Sequence, residues 1–248
     1  MIAYQVHGQG PARALALHGL FGGGQSFAPM LAGIDPSKWT LAMPDLRGYA
    51  HSCDAGGPYN VSTAAEDVLA VADELGWQKF ALIGHSMGGK IALRVACLAQ
   101  SRVTRLAGLS PLWAAAVPFG ADALAFFRSS VDSVEARQAI IAQSTGHRLP
   151  TAWCQTMAQI SAAGSRYEAY AGYLESFVHD DFSDAANALN VDALLVSGAR
   201  DSDASRVQRD GWRNGLRRVE TVVLEECGHW AIHELPLLTA AILESFVT

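Results

Sequence analysis

Short apolar runs closed by glycine, proline or aspartate alternate along this chain with stretches whose apolar residues fall three or four positions apart. The runs at 2–7, 13–17, 39–43, 80–83, 103–109, 191–196 and 220–224 predict strands. The helical spacing predicts helices at 25–32, 64–75, 90–98, 205–216 and 235–246, with Ser62 or Thr63 capping the second of these and Gly76 ending it. Strand followed by helix, repeated, implies a mostly parallel sheet covered on both faces, an α/β architecture. The alternation stops between Leu112 and Leu189, where only helical patterns appear, at 122–127, 133–143, 152–162 and 167–177. We therefore expect one domain whose core, 1–111 and 190–248, carries a helical insertion at 112–189.

Composition narrows the class of function. With 248 residues, half of them apolar, the chain is long enough to bury a large core unaided. A net charge of −6 speaks against binding to a phosphate backbone, so no nucleic-acid partner is expected. No run is long enough to span a bilayer, and the first ten residues lack a basic start followed by an apolar stretch. The expected address is the cytoplasm, with no membrane partner. Cys53, Cys97, Cys154 and Cys227 are scattered without ligand-like spacing, so neither a metal nor a redox motif is expected.

The chemistry-bearing residues lie just after strands. Gly84-His85-Ser86-Met87-Gly88-Gly89 joins a strand to a helix, and glycines two positions either side of Ser86 permit a sharp turn that projects the hydroxyl. A glycine-rich turn of this kind also occurs for packing alone. Here Met87 adds a backbone N–H at a helix N-terminus, where developing negative charge is favoured. The glycine-rich loop His18-Gly19-Leu20-Phe21-Gly22-Gly23-Gly24 follows the second strand and can bring further N–H groups to the same point. Asp201 and His229 follow the last two strands, and the carboxyl ends of parallel strands converge on one sheet edge. A serine hydroxyl needs a base, an imidazole can supply it, and a carboxylate can fix the imidazole tautomer. His233 and Asp203 are the alternatives to His229 and Asp201, while Asp45 and Arg47 suggest a structural pair fixing their loop.

Taken together, His18-Gly19-Leu20, Asp45-x-x-Gly48-x-x-x-Ser52, the Ser86 turn, Gly198-x-x-Asp201 and Gly228-His229 resemble the α/β-hydrolase family, esterase type, over essentially the whole length. That resemblance implies a catalytic Ser86, Asp201 and His229, an oxyanion hole from the Leu20 and Met87 N–H groups, His18 bracing the loop, no cofactor, and a helical lid inserted after the sixth strand of the fold. The expected substrate is a small or medium hydrophobic carboxylic ester. Phe21, Trp113, Phe126, Phe127, Tyr173 and Trp230 are the candidate substrate-binding residues, with Met87 beside them. Ala50 departs from the glycine that many members carry, which should alter loop shape more than chemistry. Serine at position 86 sets the chain apart from the dehalogenase and epoxide hydrolase branches. Thioesterases, lactonases, carbon–carbon bond hydrolases or lyases and pimeloyl-carrier-protein methyl ester esterases share these motifs, and some proteins of the fold are non-catalytic receptors. An acyl-carrier-protein partner is disfavoured, because Arg128, Arg137, Arg148 and Arg166 are outnumbered by acidic residues in the insertion.

Overall fold

A computed structural model describes residues 1–247, apart from the side chains of Asp203 and Ala204. Among the described residues one sheet contains β1 (Tyr4–Gly8), β2 (Ala12–Leu17), β3 (Trp39–Pro44), β4 (Phe80–His85), β5 (Val103–Leu109), β6 (Asp192–Gly198) and β7 (Arg218–Leu224). Their order is β1-β3-β2-β4-β5-β6-β7, with β1 antiparallel to β3 and every other pair parallel. All of β4 is buried, and its side chains alternate between two core layers. Leu82 joins Val68, Ile91 and Leu93 on one face; Ala81 and Ile83 join Phe27 and Leu243 on the other. Each such aliphatic side chain contributes about 2 kcal/mol on burial, whereas an exposed ion pair contributes about 0–1 kcal/mol, so these two layers dominate the sheet's stability.

The covering helices are α1 (Val61–Glu74) and α2 (Met87–Leu98) on the first face. The capping residue of α1 is Asn60, whose Oδ1 accepts from the Thr63 N–H at 2.8 Å; Ser62 and Thr63 therefore lie inside the first turn. The helix starts earlier than its apolar spacing suggests because asparagine is itself a strong cap. The stretch expected as a helix near 25–32 is a 3₁₀ helix, Gly24–Gly33, with Pro29 inside it.

Five helices lie between β5 and β6: α3 (Ala121–Ser129), α4 (Val134–Ser144), α5 (Thr151–Ala163), α6 (Tyr167–His179) and the unforeseen short α7 (Ser183–Asn187). Five strands of this sheet precede the segment, not six. Its α6 buries Tyr170, Tyr173, Leu174 and Phe177, while α3 buries no residue. Fully buried Lys90, in α2, donates from Nζ to the carbonyls of Ala115, Phe177 and Asp180 at 2.8, 2.9 and 2.6 Å, tying the segment to the sheet. The chain closes with α8 (Asp203–Gly215), α9 (Ala231–Glu234) and α10 (Pro236–Val247). Among the described residues no helix is long and apolar enough to cross a membrane. The loops after β2, β4, β6 and β7 open on the same sheet edge, which is where the site forms.

Candidate active site

Ser86 occupies the turn from β4 into α2 with φ 54° and ψ −121°, a left-handed conformation that costs a non-glycine residue about 1–3 kcal/mol. The flanking glycines explain how the turn closes. A Cβ on Gly84 would lie 2.4 Å from the Gly88 carbonyl oxygen, and one on Gly88 would lie 2.1 Å from that of Leu17. The Ser86 backbone is fixed from both sides, its N–H donating to Leu109 O at 3.0 Å and its carbonyl accepting from Leu112 N–H at 2.9 Å. Its hydroxyl makes no hydrogen bond among the described residues and borders the main cavity.

His229 borders that cavity too, and its Nδ1–H donates to Asp201 Oδ2 at 2.9 Å. This contact leaves Nε2 as the ring's lone-pair nitrogen. The other Asp201 oxygen accepts from Ser202 N–H at 2.7 Å and Ser205 Oγ at 2.9 Å. Burial works against the Asp201 charge, but the imidazole and these donors outweigh it and hold the carboxyl below its usual range. Burial likewise opposes charging of His229, yet the Asp201 carboxylate, helped by Glu234, raises it above its ordinary value. Of the alternatives, His233 packs edge-on against Trp153 and Trp230, and burial lowers it to about 4. The side chain of Asp203 lies outside the described residues.

Two residues support the site, Glu234, which the sequence did not single out, and His85. Glu234 accepts from Gly228 N–H at 3.0 Å and Trp230 N–H at 3.1 Å, clamping the loop that carries His229, and pairs with Arg148 at 2.9 Å. Glu234 stands one residue beyond the capping-box position and follows a Trp N-cap, so no sequence rule marked it. His85 points beneath the site and donates from Nε2 to the His229 carbonyl at 2.9 Å. Burial, and then the neighbouring His229, lower it to about 3, so it stays a neutral donor.

The glycine-rich loop presses against the turn: a Cβ on Gly19 would lie 3.0 Å from Ser86 Cβ. His18 accepts from Leu46 N–H at Nε2, so its Nδ1–H donates to the Gly19 carbonyl at 2.8 Å. That carbonyl shares a peptide plane with the Leu20 N–H, whose direction His18 thereby sets. Tyr49 Oη donates to the Leu20 carbonyl at 3.0 Å and fixes the next plane. The N–H groups of Leu20 and Met87 have no acceptor among the described residues. Asp45 and Arg47 do not pair with each other. Asp45 accepts from Gly24 N–H and His51, whereas Arg47 forks onto Asp67 at 2.6 and 2.7 Å.

The cavity beside Ser86 measures about 620 Å³. Phe21, Phe126, Phe127 and Trp230 line it, as the sequence suggested, together with Leu112, Val117, Phe119, Ile140 and Phe177. Three expected residues do not. Trp113 is buried against α8, where Cβ atoms on Gly211 and Gly215 would come within 2.4 and 2.3 Å of its ring. Tyr173 is buried among Tyr49 and Tyr59, and Met87 points into the core. Gln208, Arg200, Ser202 and Ser205 add polar wall that the sequence did not reveal.

Comparison with known proteins places this arrangement. The structure superposes on an esterase from Exiguobacterium antarcticum with a TM-score of 0.89 at 21% identity, covering 99% of this chain and 95% of that one. It superposes on the enol-lactonase from Burkholderia xenovorans LB400 with a TM-score of 0.86 at 21% identity, covering 99% and 96%. At such identities the likeness is one of fold. In sequence, 110 residues are 34% identical to the Caulobacter segnis protein named "Putative carbamate hydrolase RutD", covering 42% of this chain and 41% of that protein. The matched stretches span less than half the length of this and two other curated relatives. The model of the alpha/beta hydrolase fold matches residues 15–236, nearly the whole length. The chain therefore belongs to the alpha/beta hydrolase fold family.

Proposed function

We propose that the protein is a serine hydrolase that cleaves carboxylic esters through an acyl-enzyme on Ser86. One observation carries this: a strained, unpartnered serine and a carboxylate-bound imidazole with a free Nε2 border the same cavity. Ser86 Oγ attacks the ester carbonyl as His229 Nε2 takes its proton, and Asp201 stabilises the imidazolium. The unpartnered N–H groups of Leu20 and Met87 receive the oxyanion, each worth about 3 kcal/mol of barrier. His229 then protonates the leaving alcohol, and water activated by the same imidazole releases the acid.

The helices at 112–189 act as a lid over this site, and their aromatic wall favours a small or medium hydrophobic ester. A free small molecule fits better than a carrier-bound one, because the segment's arginines are engaged. Arg128 pairs with Glu175 at 2.7 Å and Arg148 with Glu234 at 2.9 Å, Arg137 is buried, and Arg166 lies 3.8 Å from Glu168. The cytoplasm is its proposed compartment, in keeping with four free cysteines. Lactones and carbamates need the same first step and are the second substrate class to try, given the relatives' names.

Nitrophenyl esters of graded chain length, tested on the wild type and on Ser86→Ala, decide the proposal. Turnover that vanishes in the variant, with acyl mass trapped on Ser86, is the expected result. Tight ligand binding without serine-dependent turnover would instead make the protein a receptor.

A further inference from the structure

One polar side chain in the cavity wall is nearly fully buried yet only half used. Gln208, in α8, is 3% exposed and lines the cavity. Its Oε1 accepts from the Trp113 N–H at 2.8 Å. Because a backbone N–H is a donor only, the atom it meets must be the amide oxygen, and the orientation of the amide follows. Nε2 is thereby left with two donors that have no acceptor among the described residues. Nε2 is not sealed in packed protein as the fully buried unpartnered atoms are, so as part of the cavity wall it can donate to a ligand acceptor.

The amide is also held in register with the reacting centre. Leu112 N–H donates to the Ser86 carbonyl at 2.9 Å, the Leu112 carbonyl accepts from Trp212 Nε1 at 2.8 Å, and the next N–H along is the one that fixes Gln208. Gln208 and Ser86 are thus spaced by two consecutive backbone residues, not by a mobile loop. Leu112, Val117 and Phe177, which line the same cavity, are apolar.

We propose that Gln208 is a specificity-determining residue and that the substrate is an ester whose otherwise apolar chain carries an acceptor oxygen, as a ketone, ether or hydroxyl, opposite its Nε2. The inference rests on the acyl-transfer reading of Ser86 and narrows it from hydrophobic esters to oxygenated ones. An added acceptor of this kind should be worth about fivefold, the size of one net hydrogen bond.

The test compares two nitrophenyl esters of equal length, one with a plain alkyl acyl chain and one with a methylene replaced by an ether oxygen. The ratio of their kcat/KM values is measured in the wild type and in Gln208→Met, which keeps length and removes the donors. Taking the ratio of ratios cancels the higher intrinsic reactivity of the ether ester, and loosening of Trp113 slows both esters alike. A set of such pairs moves the oxygen along the chain. We expect at least one position where the wild-type preference exceeds that of the variant by about fivefold. Ratios within twofold of one another at every position overturn the proposal. Calorimetric binding of the same pairs to Ser86→Ala supplies a readout that needs no turnover. If no ester is cleaved, acyl transfer fails, while the ratio of dissociation constants still upholds or rejects the role of Gln208.

Discussion

Replacing Asp201 by asparagine tests the proposed base at its support. The Ser202 N–H, 2.7 Å from Oδ1, can only donate and so requires an oxygen there, and the new amide must turn its nitrogen toward His229. That nitrogen donates; His229 Nδ1 would then have to accept, and the ring proton would move to Nε2, the position that must be empty to activate Ser86. The charge is lost as well. With about 4 Å between charge centres and an effective dielectric near 20, a unit pair interacts by about 4 kcal/mol. At 1.36 kcal/mol per factor of ten, this is roughly a thousandfold in kcat/KM. The pH profile carries an independent signature. In the wild type the acid limb of kcat/KM should inflect above 6.5, because the carboxylate raises His229. In Asp201→Asn the burial of the ring acts unopposed by that charge, so the residual limb should shift to lower pH. Nitrophenyl ester hydrolysis from pH 5 to 10, with urea unfolding as the fold control, measures both. A variant within tenfold of wild type, or one whose limb stays in place, refutes the assignment.

Two further predictions concern stability. His85 titrates near 3 in the folded protein against 6.5 when exposed, so below pH 6.5 the unfolded chain takes up a proton that the native state refuses. Stability should therefore fall with pH, by about 3 kcal/mol between pH 7 and pH 4 from this residue alone, and urea unfolding of His85→Asn should show a pH dependence weaker by that amount. Ala50 sits at φ +40°, where glycine is free of strain, so Ala50→Gly should raise stability by about 0.5–1 kcal/mol in the same assay and leave ester turnover unchanged.

What was legible in the sequence was whatever rests on local backbone rules. The strand-to-helix turn at Ser86 follows from two glycines, and β5 was bounded correctly because its apolar residues, Val103 and Leu106 to Leu109, lie between Arg102 and the Ser110-Pro111 break. The fates of individual aromatic residues were not legible, since helical spacing gives a face but not what the face meets. Trp113 was expected in the cavity; its neighbours are Gly211 and Gly215, some hundred residues later, and only their missing side chains make room for the indole. Tyr173 likewise belongs with Tyr49 and Tyr59, in loops that its own helix cannot foretell. The partners of Asp45 and Arg47 were misjudged for a related reason. Proximity in sequence suggested each for the other, whereas the folded loop turns Asp45 toward Gly24 and Arg47 toward α1.

The same long-range contacts decide which parts of the helical segment can vary. His229 N–H donates to Ser144 O at 2.9 Å, Trp230 Nε1 donates to Ser144 Oγ at 2.9 Å, and the Tyr49 backbone bridges to Ser165. Helix α4 and the turn between α5 and α6 are thereby bonded to the loops that carry His229 and position Leu20, and disturbing them disturbs those loops. Helix α3 differs: it buries no residue, yet it sets Phe126 and Phe127 against the cavity. Removing an apolar side chain there changes the cavity wall and little of the core, because Phe126 is already 40% exposed. The lining of the cavity can thus change through α3 at small cost in stability.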